Sequence, residues 1–200
     1  LPIYKSDSLI MAECARGALD DCGLKLSDVD GLFTAGMSTG MMGVIELAEY
    51  LDLNPRYLDS TQIGGSSFVA HVNHAAAAIH AGLCEVALIL YGSTAASNAM
   101  AIGTGMGGGG GNPTAAFVSP YGMTTVGSYA LVAQRHQHLY GTRPEQLAEI
   151  AVTMRKHAGL NPDAKMQKPI TVDDVLASRM IATPLHLLDC CIISDGGGAG

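Results

Sequence analysis

Apolar residues follow a repeating helix and strand pattern over the first ninety positions. A helical apolar stripe runs from Leu9 to Cys22, which Ser6 or Asp7 can cap and Gly23 can end. Short apolar runs predict three strands, and helical spacing predicts two further helices: strands at Val29–Thr34, Tyr57–Ile63 and Glu85–Tyr91, helices at Val44–Leu51 and Ser66–Ala81. This order predicts an α/β domain with a largely buried sheet.

The helix predicted at Ser66–Ala81 is rich in alanine, which permits close packing on all sides. We therefore expect it to be a buried crossover helix. The strands on either side of it, Tyr57–Ile63 and Glu85–Tyr91, are expected to be neighbours in the sheet.

The pattern changes after Gly92. Ser93 to Ser119 is polar and glycine-rich, which indicates a loop or insertion. Within it, residues 97–114 are expected to be mobile without ligand, because glycine loses much conformational entropy on ordering. Three helical patterns follow. The first covers 124–139, the second starts at a capping box of Thr142 and Glu145 and runs to about His157, and the third covers 172–178.

Composition narrows the function classes. The chain has 200 residues and a net charge of −7 without a basic run, so the electrostatic footprint of a nucleic-acid-binding protein is missing. No apolar run has the length of a membrane span. Five cysteines, an odd number, indicate reduced thiols and a cytoplasmic location. The chain lacks an initiator Met and opens on a helix, so we expect it to be a fragment.

The most informative local feature is the glycine turn, Gly64-Gly65, between a predicted strand and a predicted helix. The first N–H groups of a helix have no intrahelical acceptor, and the helix dipole adds partial positive charge there. Such a turn can hold a developing anion or activate a nucleophile.

The polar residues near this turn fit structural roles better than catalytic or metal-binding ones. Ser66 fits a capping serine better than a hydrolase nucleophile, because Phe68 replaces the last glycine of the Gly-x-Ser-x-Gly elbow. His71 and His74 could share a helix face, with His80 further along, but no third ligand has a recognised metal spacing. We expect hydrogen-bonded or interface histidines and no metal site.

Motifs in the second half resemble one known family. They are Tyr140-Gly141-Thr142-x-x-Glu145, His157, Asn161-Pro162, Asp174-Val175-x-Ala177-Ser178, Leu187-x-x-Cys190-Cys191 and Ser194-Asp195-Gly196. With the glycine turn, they are similar in order and spacing to thiolases of the sterol-carrier-protein (lipid-transfer) type. The resemblance covers nearly the whole chain.

The glycine turn departs from the thiolase pattern at one decisive position. The family's nucleophile turn reads roughly Asn-x-x-Cys-(Ala/Gly)-(Ser/Thr)-Gly. In register, the cysteine falls on Gly64, the small residue on Gly65, the hydroxyl residue on Ser66 and the last glycine on Ser67. The turn is kept and the nucleophile is missing, as in a subgroup of homologues that resembles steroid side-chain retro-aldolases.

The resemblance implies an α/β thiolase fold, of which this chain would be the N-terminal half, with βαβαβαββ-type layers and a covering loop domain. It implies a thiolase-like domain at 1–93 with an incomplete first strand, an inserted covering region at 94–193 and the start of the last strand at 194–200. The C-terminal half would be missing. Gly65, Ser66, Ser67 and Met123 would bind substrate, and Tyr121 would line the acyl pocket as a weak candidate for the catalytic base.

The resemblance also implies chemistry on coenzyme A thioesters, with coenzyme A as part of the substrate and no other cofactor. Without a cysteine at Gly64, we expect retro-aldol cleavage of a β-hydroxyacyl-CoA with a small OB-fold partner protein. The alternatives are an acetyl-CoA acyltransferase whose nucleophile comes from elsewhere, and a non-catalytic homologue that binds acyl-CoA or lipid. The family further implies a homodimer, in which Glu85–Tyr91 or the segment after it meets its symmetry mate.

Overall fold

The computed structural model describes residues 5–35, 42–98, 117 and 124–200. It divides into two compact units. One consists of Leu1–Met100 with Ser194–Gly200, and the other of Ala101–Ile193. The expectation of a mobile segment at 97–114 falls, from residue 99 onward, outside the described residues.

Helix α1 (Asp7–Cys22) opens the described part of the first unit, and both of its ends are as predicted. The Ser6 hydroxyl accepts a hydrogen bond from the Leu9 N–H at 3.1 Å, and Gly23 ends the helix at φ +73°. Such left-handed backbone favours glycine. The helix buries Met11, Ala15 and Leu19.

Four strands form the sheet of the first unit, as far as the structure describes it. They are β1 (Gly31–Thr34), β2 (Tyr57–Asp59), β3 (Ala87–Ser93) and, after two strands of the second unit, β6 (Gly196–Ala199). Their order is β2-β1-β3-β6. Strand β1 pairs in parallel with β2 and β3, and β6 runs antiparallel to β3.

This order corrects one prediction. Strands β2 and β3 are not neighbours, because the fully buried β1 lies between them. Both edges of β3 are paired within this chain. That this strand or the segment after it meets a second copy stays a prediction. Strand β2 is also shorter than predicted and ends at Asp59.

Side chains of the sheet alternate between two cores, as the period of a strand requires. Leu32, Leu88 and Leu90 pack with α1 and with α2 (Gly43–Tyr50). On the other side, Phe33 packs with Ala75 and Ala78 of helix α3 (Ser67–His80).

Helix α3 is buried on one face only. Its inner face contains Ser67, His71, Ala75 and Ala78. Its outer face is apolar and exposed, with Val69 at 75% exposure and Val72 at 60%. The helix crosses over β1 to connect β2 with β3, as predicted, and within this chain its burial is confined to the inner face.

The second unit is mainly helical. Its described α-helices and strands are α4 (Thr125–Tyr140), α5 (Pro144–Ala158), α6 (Val172–Ala177), β4 (Met180–Ala182) and β5 (Leu185–His186). The predicted capping box is shifted by one residue, since the Arg143 N–H donates to Gln146 Oε1 at 2.8 Å. In the parts of the chain that are described, no helix combines the length and apolar character needed to cross a bilayer.

Candidate functional site

The glycine turn lies in a connecting loop, residues 60–66, between the end of β2 and the start of α3. Gly64 has a φ of +72°, in the left-handed region, whereas Gly65 does not. A Cβ built on either glycine would have no atom within 4 Å. The turn is therefore open on its outer side, and only at Gly64 does the backbone itself favour glycine.

Ser67, rather than Ser66, organises the turn. Its hydroxyl donates to the Gly64 carbonyl oxygen at 2.6 Å and accepts from the Ile63 N–H at 2.9 Å. Ser66 occupies the N-cap position, but its side chain makes no capping hydrogen bond. The prediction of Ser66 as a capping serine is therefore wrong, because the buried hydroxyl one residue later holds the loop.

The N-terminal end of α3 faces this loop. The Ser67 N–H donates to Gly64 O at 3.0 Å, and the next hydrogen bond runs from Ala70 N to Ser66 O at 3.1 Å. The N–H groups of Phe68 and Val69 precede Ala70, whose N–H is the first to donate to the Ser66 carbonyl, and the helix dipole is positive at this end. This arrangement favours a ligand with a negative or strongly polarised oxygen.

Asp59 connects the end of β2 with both the loop and the helix. Its Oδ1 accepts from the Thr61 N–H at 2.7 Å, and its Oδ2 lies 2.6 Å from Nδ1 of His74. Burial raises the pKa of the Asp59 carboxyl, but the hydrogen bonds from Thr61 and His74 outweigh this and leave the pKa below its ordinary value. No local pattern in the sequence indicates Asp59, whereas the prediction of hydrogen-bonded histidines is confirmed for His74.

His71 is enclosed and has no hydrogen-bond partner in the described structure. Its side chain is 0% exposed, both ring nitrogens are unpaired, and Nε2 is 3.8 Å from Asp59 Oδ1. The rings of Phe33 and Phe68 lie beside it, each with a centroid 5.9 Å away. Burial lowers the pKa of His71, and the charge of Asp59 offsets this only in part. The imidazole is therefore neutral near pH 7.

Tyr121 and Met123, the other predicted site residues, lie outside the described residues. Cys84 is buried beyond the far end of α3, and burial raises the pKa of its thiol. Among the residues that the structure describes, no group of three or more His, Cys, Asp or Glu side chains could hold a metal ion.

Comparison with known proteins identifies relatives along almost the full chain, although no family model matches it. A steroid side-chain-cleaving aldolase of Thermomonospora curvata is 35% identical over 203 residues, covering 98% of this chain and 51% of the relative. The 17-hydroxy-3-oxo-4-pregnene-20-carboxyl-CoA lyase of Mycobacterium tuberculosis is 34% identical over 210 residues, covering 98% and 52%. An acetyl-CoA acetyltransferase of Methanothermobacter thermautotrophicus is 30% identical over 198 residues, covering 95% and 50%.

Solved structures give the same result for the fold. The Ltp2-ChsH2(DUF35) aldolase superposes with a TM-score of 0.86 at 34% identity, covering 99% of this chain and 50% of that one. A monomeric SCP2-thiolase-like protein of Mycobacterium smegmatis has the same fold, with a TM-score of 0.71 at 20% identity, covering 98% and 41%.

Sequence and fold together place the chain among the thiolase-like proteins of the sterol-carrier-protein 2 type, as predicted. Within this class, the chain resembles the aldolase and lyase named above at 34–35% identity. It spans about half the length of the curated relatives it matches.

Proposed function

We propose that this chain is part of a thiolase-fold lyase that cleaves a carbon–carbon bond in a β-hydroxyacyl-CoA by retro-aldol chemistry. The observation that carries the proposal is the glycine turn. It combines a left-handed Gly64, which has no nucleophilic side chain, with the positive end of α3. The identity to an aldolase and a lyase over 98% of the chain supports the same reaction.

The reaction needs a base and an oxyanion site but no covalent acyl-enzyme. A base removes the proton of the β-hydroxyl group, whose oxygen becomes the carbonyl of the released aldehyde or ketone. The Cα–Cβ bond breaks, and its electron pair moves into the thioester to give an enolate. Protonation at Cα then yields the shortened acyl-CoA. Hydrogen-bond donors at the enolate oxygen stabilise the charge that develops.

Each site residue takes a defined role in this proposal. Gly64 stands where a thiolase has its nucleophilic cysteine. Gly65, Ser66, Ser67 and Met123 bind the substrate, and Tyr121 is the candidate for the base. The Ser67 hydroxyl is already engaged by the backbone of the loop, which argues against a nucleophilic function for it.

The proposal extends to organisation and partners. Residues 1–93 and 194–200 form the thiolase-like domain, and residues 94–193 form the inserted covering region. The protein is a homodimer that works with a small OB-fold partner. The name of the similar Ltp2-ChsH2(DUF35) aldolase joins two components, which supports a partner. All five cysteines are free thiols, which supports a cytoplasmic location.

A cleavage assay tests the lyase proposal. The intact protein, with and without its OB-fold partner, is incubated with a panel of β-hydroxyacyl-CoA thioesters, including steroid derivatives. We expect a carbonyl compound and a shortened acyl-CoA to form in equal amounts. Failure across the panel with the partner present, combined with retained acyl-CoA binding, would favour the non-catalytic alternative.

Acyl transfer is the second candidate, because an acetyl-CoA acetyltransferase is 30% identical over 95% of this chain. This reaction needs a nucleophile that Gly64 cannot provide. Cys84 is a poor substitute, since it is buried and its thiol pKa is raised. Transfer of an acetyl group between two thioesters, measured by the exchange of labelled acetyl-CoA, would favour this candidate.

A further inference from the structure

We propose that Asp59 is a positioning residue for the glycine turn, and that His74 in turn holds the Asp59 carboxylate. The inference deepens the proposed function and rests on it in one respect, which is that the turn receives the thioester oxygen. The geometric part concerns the shape of residues 60–66 and can be tested without activity.

The loop depends on side chains for its path. Residues 60–66 belong neither to the paired strand β2 nor to helix α3, and the backbone hydrogen bonds from α3 reach only its last residues, at Gly64 and Ser66. Two side chains bind the loop from opposite ends. Asp59 holds the Thr61 N–H at 2.7 Å, and Ser67 holds the Ile63 N–H at 2.9 Å.

A carboxylate suits this position because it can accept at both oxygens. One Asp59 oxygen closes the start of the loop onto Thr61, and the other reaches His74, two turns into α3. The strand end, the loop and the helix therefore meet at one side chain. A hydrogen bond to a charged group is roughly twice as strong as a neutral one.

The surroundings keep this connection in place. Asp59 is mostly buried, with a side-chain exposure of 12%, so water competes weakly for its oxygens. His71 lies beside the rings of Phe33 and Phe68, and its Nε2 is 3.8 Å from Asp59 Oδ1, too far for a hydrogen bond. The hydrogen bonds of the Asp59 carboxylate are therefore those with Thr61 and His74.

The first experiment compares hydrogen exchange of the amides of residues 60–66 in the intact wild-type protein, Asp59→Ala and Asp59→Asn. Asp30→Ala is the matched control. Asp30 accepts the N–H groups of Glu85 and Val86 at 2.7 and 2.8 Å, away from the connecting loop. We expect Asp59→Ala to accelerate exchange in the loop by about tenfold or more, whereas Asp30→Ala leaves it unchanged.

The second experiment uses the kinetics of the lyase reaction. Because the turn acts on charge that develops in the transition state, Asp59→Ala should lower kcat about tenfold with KM within about twofold. Asp59→Asn keeps an oxygen for the Thr61 N–H and should recover kcat to within about threefold of the wild type. On the helix side, His74→Asn keeps an N–H donor and should be milder than His74→Ala.

The outcomes separate this inference from the proposed function. Loop exchange in Asp59→Ala that matches the wild type or Asp30→Ala would overturn the positioning role, whatever the activity. Normal kcat in Asp59→Ala with faster loop exchange would overturn the catalytic part. A wild-type protein that cleaves no thioester would refute the proposed function, while the exchange result would still decide the geometric claim.

Discussion

A Cβ on Gly197 would lie 2.5 Å from the carbonyl oxygen of Tyr91. The two residues belong to β6 and β3, which pair as antiparallel neighbours, and Gly197 stands opposite Gly92 in the register. On its other side, the same Cβ would meet Cγ2 of Ile10 at 2.7 Å. Of the glycines after Asp195, Gly197 therefore permits the close packing of β6 against β3 and α1.

The first prediction follows from this contact. Gly197→Ala should lower the free energy of unfolding by about 2 kcal/mol, because backbone atoms of β3 must move to admit the methyl group. Gly198→Ala is the matched control, since its Cβ would have no atom within 4 Å. Its effect should stay within about 0.5 kcal/mol. Urea unfolding of both variants decides this, and equal stabilities would contradict the account.

The second prediction compares the two glycines of the turn. Gly64→Ala should destabilise the protein by about 1 kcal/mol, because a φ of +72° is unfavourable for a residue with a Cβ. Gly65→Ala adds the same methyl group in open space without that backbone strain. It should therefore lower the free energy of unfolding by less than about 0.5 kcal/mol. Thermal unfolding of the pair provides the measurement. A larger cost at Gly65 would show that the turn has a different conformation.

The third prediction concerns the buried His71. Both ring nitrogens of His71 are buried without a hydrogen-bond partner, so folding removes their hydration without replacing it. An apolar side chain of similar size would avoid this cost. His71→Leu should therefore raise the free energy of unfolding by about 1 kcal/mol at pH 7. In contrast, His74→Leu should destabilise the protein, because Asp59 loses its partner. A large loss of stability in His71→Leu would mean that the imidazole has a partner.

The same variant should change the pH dependence of stability. The pKa of His71 in the folded chain lies below its ordinary value of about 6.5. Protonation therefore favours the unfolded chain. The contribution is complete above about pH 6.5 and is lost as the pH falls toward the folded-state value. His71→Leu should flatten the stability curve in that window, as measured by urea unfolding at several pH values.

Local sequence signals predicted much of the fold. Ser6 caps the start of the first helix and Gly23 ends it. Both effects depend on the type of one residue and its nearest neighbours, so they can be predicted from the sequence. The order of the strands could not be obtained in this way. The pairing of β1 with β3 joins Gly31 to Ala87 across more than fifty residues, and no local pattern indicates it.

The candidate site shows the same limit. The glycine turn was visible because Gly64 and Gly65 interrupt a strand–helix pattern. Asp59 and His74 lie fifteen positions apart, and their contact depends on how α3 packs beside the strand end. The choice between Ser66 and Ser67 also required the structure, because adjacent serines on the first turn differ only in which one faces the core.

The most direct test of the central claim is the intact mass of the protein after incubation with acyl-CoA and with acetoacetyl-CoA. We expect no covalent acyl adduct, because Gly64 leaves the turn without a thiolate. Gly64→Cys is the companion variant, and an adduct on it would show that the remaining machinery can still bind and orient the thioester. An adduct on the wild-type protein, mapped to Ser66, Ser67 or a cysteine, would contradict the lyase account and favour acyl transfer.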